Sequence, residues 1–401
     1  MSAWLAIVGI GEDGVAALAP AARALIASAE TLVGGARHLA LVPEGRAERL
    51  LWQSPLAATI PEIARRRGRR VVVVASGDPL CYGAAATLLR AFAPEEMIVC
   101  PAPSAFQLAA ARLKWPRESA AAISLHGRPL DALRLHLAPG ARILALSTDG
   151  TTPLRAARLL REAGWGPSFL TVLEHMGGPR ERRVEGTASD WRDEVADLNV
   201  LAIECRAGPG ARPYSRLAGL PDDAFLHDGQ ITKREVRAVT LASLGPLPGE
   251  LLWDVGAGSG AIAIEWLRAG RGMRAAAIER DPARAAAIAQ NAAALGVPEL
   301  EIVIGAAPGA VQNLPPPDAV FLGGGLDDPA IFDQCWRALK PAGRLVANAV
   351  TLEGEAALLR HAGTLGGDLV RIAVARAETL GRHRAFRPFL PVTQFTLKKP
   401  P

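Results

Sequence analysis

Asp254, Gly256, Gly258 and Gly260 stand together in the run LLWDVGAGSGAIAIEW, residues 251–266, and a second acid, Glu279, ends the next apolar run. The apolar Leu251-Leu252-Trp253 reads as a strand and Ala261-Ile262-Ala263-Ile264 as a buried helix. The glycines, with Ala257 and Ser259 among them, therefore form a strand–loop–helix turn. Glycine is required where a ligand must come close to backbone amides. Gly256, Gly258 and Ala261 also satisfy the dinucleotide pattern G-x-G-x-x-G/A. Charge divides the possibilities: a carboxylate two residues before the first glycine repels a pyrophosphate and attracts a cation, and S-adenosyl-L-methionine carries both a sulfonium and an ammonium. Glu279, about 20 residues further on, is spaced to accept hydrogen bonds from ribose hydroxyls, which that donor shares with NAD. A plain structural role stands beside this one, with Asp254 capping the helix N-terminus.

The elements that must position this turn alternate. Strands are expected at 251–255, 275–279, 301–304, 318–323 and 343–349 with helices between them, and 369–375 and 391–397 complete a doubly wound sheet. Ahead of them, ITKREVRAV predicts a helix opened by a capping box of Thr232 and Glu235, with Thr232 facing the loop. FLGGGL puts Gly324 at the carboxyl end of the fourth strand, at the pocket edge. After the third strand stand Ala306 and Ala307, where many methyltransferases hold the adenine with an acid, so backbone groups would serve instead. The aperiodic, Gly- and Pro-rich residues 206–225 read as a connection, dividing the chain into a domain at 1–207, a linker at 208–225 and a domain at 226–401.

The first half is also α/β. LAIVGIGEDG places Gly9 and Gly11 after a strand, RRVVVVASGDPLCYG ends another at Gly77-Asp78-Pro79 with Tyr82 close behind, and CPAPSAFQLAAARL opens a helix at Ser104 with Gln107 completing a capping box. Each alone is a turn or a cap; their order and spacing carry more. In order, VGIGEDG, SGDPLCYG, PAPSAFQLAAARL, SLHGRP and VLEHMGGPRERRVEGT resemble the tetrapyrrole methylases of cobalamin biosynthesis. The segments GLPDDAFLHDGQITKREVRAVTLASL, LWDVGAGSGAIAIE and FLGGGL resemble the class I decarboxylating precorrin methyltransferases of the same pathway.

The resemblance implies a two-lobed tetrapyrrole methylase fold followed by a Rossmann-like class I domain, with one S-adenosyl-L-methionine in each. It implies methylation of C5 of a polycarboxylate macrocycle by the first domain, and methylation of C15 with loss of the ring C acetate carboxylate by the second. Carried over as donor contacts are Gly9, Gly11, Asp78, Tyr82 and Ser104 in the first domain. Those of the second are Thr232, Asp254, Gly256, Ala257, Gly258, Ser259, Gly260, Glu279, Ala307 and Gly324. One departure is Glu12, where related methylases often carry proline. The resemblance also implies a homo-oligomer.

Methyl transfer from a sulfonium is an in-line displacement that requires placement and exclusion of water and demands no strong base. Decarboxylation needs an electron sink, which an imine-like bond of the macrocycle can supply when protonated, so neither metal nor pyridoxal is expected. His175 and His383, with Arg384, are the candidates for handling protons. Carboxylates on the substrate require basic partners, for which Lys233, Arg234, Arg237, Arg382 and Arg387 are candidates near the second loop and Arg180, Arg182 and Arg183 near the first.

Composition narrows the partners. The chain has 401 residues, half of them hydrophobic, with a net charge of +5 and a pI near 9.3, which suits an anionic partner. Two tyrosines and 5% aromatic residues leave few platforms for stacking bases, which disfavours nucleic acid. Four widely spaced cysteines without a C-x-x-C disfavour zinc and disulfides. With no signal pattern and no apolar run of membrane-span length, a soluble cytoplasmic protein is expected, without a membrane partner. Two other readings stay open: a nucleic-acid or protein methyltransferase carrying a non-catalytic anion-binding module at its N-terminus, and a dehydrogenase. FLGGGL in place of an N-P-P-Y-type tetrapeptide counts against base methylation.

Overall fold

A computed structural model describes residues 3–401. They fall into two units, one running to Leu130 and resuming over Ala138–Arg212, the other combining Asp131–Leu137 with Pro213–Pro401.

The first unit has two five-stranded sheets. Strands β1 (Leu5–Ile10), β2 (Thr31–Gly34), β3 (Glu48–Leu51), β4 (Val71–Ser76) and β5 (Met97–Cys100) pair in parallel in the order β3-β2-β4-β1-β5. The near-continuous valine run of β4 explains its central position: Val71–Ala75 are buried, as strands covered on both faces must be. The carboxyl ends of β1, β2 and β4 deliver the Gly11–Gly14 turn, Gly35 with the helix Ala36–Ala40, and the Gly77–Tyr82 loop to one edge of this sheet. The second sheet is mixed. Its strands β6 (Ala120–Ser124), β7 (Arg142–Leu146), β8 (Phe169–Glu174), β9 (Arg182–Thr187) and β10 (Asn199–Glu204) lie in the order β6-β7-β10-β8-β9.

The second unit holds a seven-stranded sheet. Its parallel strands are β11 (Leu251–Val255), β12 (Arg274–Glu279), β13 (Glu301–Ile304), β14 (Ala319–Leu322) and β15 (Arg344–Ala349), close to the expected bounds. Then come β16 (Asp368–Ile372), β17 (Ala375–Leu380), β18 (His383–Pro388) and β19 (Val392–Lys398). The order is β13-β12-β11-β14-β15-β19-β16, with β19 antiparallel to both of its neighbours, while β17 and β18 form a separate hairpin that the periodicity did not announce. The strand order reverses between the parallel neighbours β11 and β14, and an open α/β sheet binds its ligand in the crevice at that point.

Two expectations need correction. The helix after ITK spans Arg234–Leu244 with Lys233 at its N-cap, so Thr232 and Glu235 form no capping box; Glu235 instead pairs with Arg376 at 2.7 Å. The expected linker is also not a free connection along its length. Leu220 and Phe225 sit in the second unit's hydrophobic core, and Arg268 donates to the Ser215 carbonyl at 3.1 Å. The segment looks linker-like by its glycines and prolines, but its two large apolar residues gain more from burial than from exposure.

Candidate functional site

The second glycine loop lies at the topological switch point. Gly256, Gly258 and Gly260 have φ of 74°, 59° and 74°, a left-handed conformation that only glycine adopts without strain. A Cβ on Gly260 would meet Ile288 at 2.8 Å, so this glycine serves close helix packing. At Gly258 and Gly256 the nearest atoms to a Cβ would be the Gln230 carbonyl at 3.8 Å and the Gly324 amide at 3.5 Å. The structure thus brings together the loop after β11, the loop after β14 with Gly324, and the Gln230 segment next to Thr232.

Two acids brace the loop. Glu279, 4% exposed, accepts the Gly258 amide at 2.8 Å and the Asp281 amide at 3.0 Å. Asp254, 1% exposed, accepts the Ala263 amide through Oδ2 at 3.0 Å, so its capping role is real. Its other oxygen, Oδ1, is buried with no partner. Burial pushes this carboxyl up to about 7; the Ala263 amide opposes the shift and the charge of Glu279 adds to it. A buried carboxylate with an unused oxygen beside open glycine backbone fits a ligand with a positive end better than a diphosphate. Ser259 is buried and presents its carbonyl to Asn291, whereas Ala307 packs against the core around Val311.

Asn291 and Glu265 are positioning residues that the motif reading missed. Asn291, 1% exposed in the alanine-rich helix Pro282–Ala294, donates to the Ser259 carbonyl at 2.9 Å and clasps Leu226 through both backbone groups. Glu265, in the helix Ala261–Ala269, accepts the Gly219 and Leu220 amides and the Arg237 guanidinium, the last at 2.6 Å. A polar residue within a largely apolar helix was the available signal for each, though Gln290 beside Asn291 and Arg268 near Glu265 carry the same signal.

That pairing corrects the expectation for Arg237. Fully enclosed, it donates to Glu265, Asp222 and the Leu220 and Thr232 carbonyls, which leaves nothing for a substrate carboxylate. Asp222 also binds Arg376, at the start of the β17–β18 hairpin, at 2.9 Å, and the Arg376 and Lys233 cations lie over Phe389. The Arg234 amide donates to Asp222 while its side chain is exposed. Arg382, His383, Arg384 and Arg387 are exposed on the hairpin; Arg387 faces Glu378 at 3.4 Å, and no hydrogen bond among the described residues ties the four to the glycine loop.

In the first unit, a Cβ on Gly9 would sit 1.8 Å from the Gly77 carbonyl, so the first two loops touch through backbone. Gly11 has room only for the Asp13 carboxylate beside it. Asp78 accepts the Leu80 amide at 2.9 Å, and Ser104 is buried as the expected helix cap with Gln107. Tyr82, half exposed with φ 55°, donates to the Ala122 carbonyl and lies beneath Arg128. It lines a cavity of about 490 Å³ together with Gly35, Trp52, Gly83, Thr87 and His126. His175 follows β8, with Nδ1 3.1 Å from Glu12. Arg182 and Arg183 pair with Glu174 and Glu185 at 2.6 Å each, and Arg180 approaches His175 at 3.4 Å.

Residues 5–191 match the tetrapyrrole (corrin/porphyrin) methylases and residues 223–399 the precorrin methyltransferase domain. A precorrin-6Y C(5,15)-methyltransferase [decarboxylating] from Sinorhizobium is 50% identical over 403 residues, covering 100% of this chain and 97% of its own. The chain belongs to this family. Its counterpart from Mycobacterium tuberculosis is 43% identical, covering 98% of this chain and 99% of its own. The crystal structure of the C-terminal domain of the Rhodobacter capsulatus enzyme is 46% identical, covers 46% of this chain and 100% of its own, and superposes with a TM-score of 0.44. The chain is accordingly a methyltransferase of α/β fold in which a tetrapyrrole methylase domain precedes a Rossmann-like methyltransferase domain.

None of its helices is long and apolar enough to cross a membrane among the described residues. The four cysteines are free thiols; burial pushes Cys205 up to about 11 and Cys335 up to about 12.

Proposed function

We propose that this chain methylates C5 and C15 of a reduced precorrin-6 macrocycle and removes the ring C acetate carboxylate, using one donor site in each unit. The observation that carries the reading is the unpartnered, buried Oδ1 of Asp254 beside the glycine loop at the sheet's switch point. When bound, S-adenosyl-L-methionine supplies an electrophilic methyl group on a sulfonium. In the second unit Gly256, Gly258, Glu279 and Gly324 would hold it, with Asp254 answering the positive end through the amide-rich turn. Gly9, Gly11, Asp78 and Tyr82 would line the corresponding edge of the first unit.

The chain's own contribution at the second loop is placement. Asn291 and Glu265 fix the loop and the 219–232 segment over it, so a nucleophilic carbon and the methyl can be held in line and water kept out. Exposed Arg234 opens the helix beside that segment and half-buried Lys233, its ammonium over Phe389, precedes it; both would meet substrate carboxylates, the role that enclosed Arg237 cannot take.

Mass spectrometry of the product tests the two-site reading. Asp254→Ala should lower C15 methylation by about 100-fold or more while C5 methylation stays near the parent rate. Equal loss of both methyl groups would refute separate sites.

A further inference from the structure

We infer that Glu12 and His175 form a carboxylate–imidazole dyad that accepts the proton released by the first unit's methylation; the inference rests on the assignment of C5 methylation to that unit. Glu12 stands in the first glycine loop with a side chain 12% exposed, and its Oε2 lies 3.1 Å from Nδ1 of His175, whose side chain is 11% exposed. A carboxylate only accepts, so the pair places the ring hydrogen on Nδ1 and leaves Nε2 with its lone pair. Among the described residues Nε2 has no hydrogen bond, and it is not among the sealed polar atoms.

The backbone is shaped to bring the pair together. His175, just past β8, has φ 45°, an uncommon conformation for a side chain of this size, held by its amide on the Leu198 carbonyl at 3.1 Å. Gly178, three residues on, lies so close to the first loop that a Cβ there would stand 2.7 Å from the Glu12 Cβ. Proline at position 12 would supply neither charge nor acceptor.

Charged groups surround the dyad, among them Asp13 next to Glu12 and Glu181, which accepts the Gly177 amide and pairs with Arg112. Arg37, from the short helix Ala36–Ala40 after β2, binds the other oxygen of Glu12 and also donates to Ser76 at 2.6 Å. Burial raises the Glu12 carboxyl, but the His175 bond and Arg37 outweigh it and hold the group below the usual carboxylate range. Arg180 lies 3.4 Å from Nδ1, and Glu174 adds a negative charge from β8. His38, beside Ser76, is pushed down to about 4 by burial and by Arg37, so it stays neutral and does not compete for the proton.

The reaction needs such a group. As the macrocycle carbon bonds to the methyl, the methyl–sulfur bond breaks and its electron pair stays on sulfur. The macrocycle then carries one positive charge until the methylated carbon loses its hydrogen. That proton passes to Nε2 while the C–H electron pair restores the ring's unsaturation, and Glu12 stabilises the resulting imidazolium. A weak base suffices because the proton being removed is acidified by the charge already formed.

The test uses the full chain with S-adenosyl-L-methionine and the reduced macrocycle, following C5 and C15 methylation separately by mass spectrometry across pH. The parent C5 rate should rise with pH along a single ionisation. His175→Gln should lose about 100-fold in C5 turnover and flatten that profile, with the donor's KM and the C15 rate unchanged. Glu12→Gln, nearly isosteric, should lose C5 turnover at unchanged C15 rate, and it decides the case should the histidine variant disturb the loop. Without substrate, ¹⁵N spectra should show the Nδ1–H tautomer of His175 in the parent and a mixture in Glu12→Gln. C5 turnover within threefold of the parent in both variants, or an unchanged tautomer in Glu12→Gln, overturns the dyad. A parent chain that makes no C5-methyl product would instead overturn the assignment on which it rests.

Discussion

Two carboxylates, Glu12 and Asp254, stand just past or at the carboxyl end of the first strand of their sheets, and their environments drive them in opposite directions. Asp254 has one amide partner, an unused oxygen and the charge of Glu279 nearby, so burial dominates and its carboxyl rises to about 7. Glu12 keeps Arg37 and His175 within reach, and these outweigh its burial. The contrast teaches that a glycine loop does not fix the chemistry beside it. The second loop is clamped by enclosed pairs and keeps one carboxyl oxygen in reserve for a ligand; the first has its acid already engaged by side chains from two other segments.

The sharpest way to break this comparison is to remove one arginine that braces each region. Arg237→Ala strands Glu265 as an uncompensated buried charge and should destabilise the second unit by about 3–5 kcal/mol. Arg37→Ala removes a partner that is 37% exposed and should cost less than about 1 kcal/mol. Thermal or urea unfolding of the two variants checks the difference, and similar losses would show that the loops are held alike.

Next in size is the dependence on pH, where the two acids should show opposite signs. Asp254 keeps its proton in the folded state after an unfolded carboxyl near 3.8 has released it, so the folded state binds more protons between about 4 and 7. Stability therefore falls as pH rises through that window, by up to about 4 kcal/mol, and Asp254→Asn should remove that slope. Glu12, held below 4.5, contributes stability that is present above its unfolded value and lost as pH falls through its folded one, and Glu12→Gln should remove that acid-side loss. Melting curves from pH 3 to 8 would display both, and a common sign would contradict the environments described.

A smaller effect is expected at Asn291. Asn291→Ala leaves the Ser259 carbonyl and both Leu226 groups without partners, at a cost of about 1–3 kcal/mol, and should weaken binding of S-adenosylhomocysteine to the second unit in calorimetry. Binding at the first unit should be unchanged; an effect there would mean that the two sites are coupled.

Much of the architecture was legible from spacing. The bounds of β11 agree with its apolar run, because a buried parallel strand is written in the chain as consecutive apolar residues; β13, at the sheet edge and largely exposed, still follows its EIVI run. The Ser104–Gln107 cap was equally readable, since it is local. The β17–β18 hairpin was not: its residues are exposed, so no alternation of buried and exposed positions marks it. The helix after Lys233 starts later than the Thr232 pattern suggested because Glu235 is drawn to Arg376, a residue 141 positions away.

What the sequence alone determined is the pair of glycine loops, the acids at 254 and 279 and the order of the motifs, since these depend on neighbours a few residues apart. Only the tertiary structure decided which charges are free. Arg237 read as a candidate for substrate carboxylates and is sealed inside, Asp254 turned out to hold one unsatisfied oxygen, and Glu12 met His175 across 163 positions. Burial and long-range partners set the ionisation of a side chain, and neither is encoded in the residues beside it.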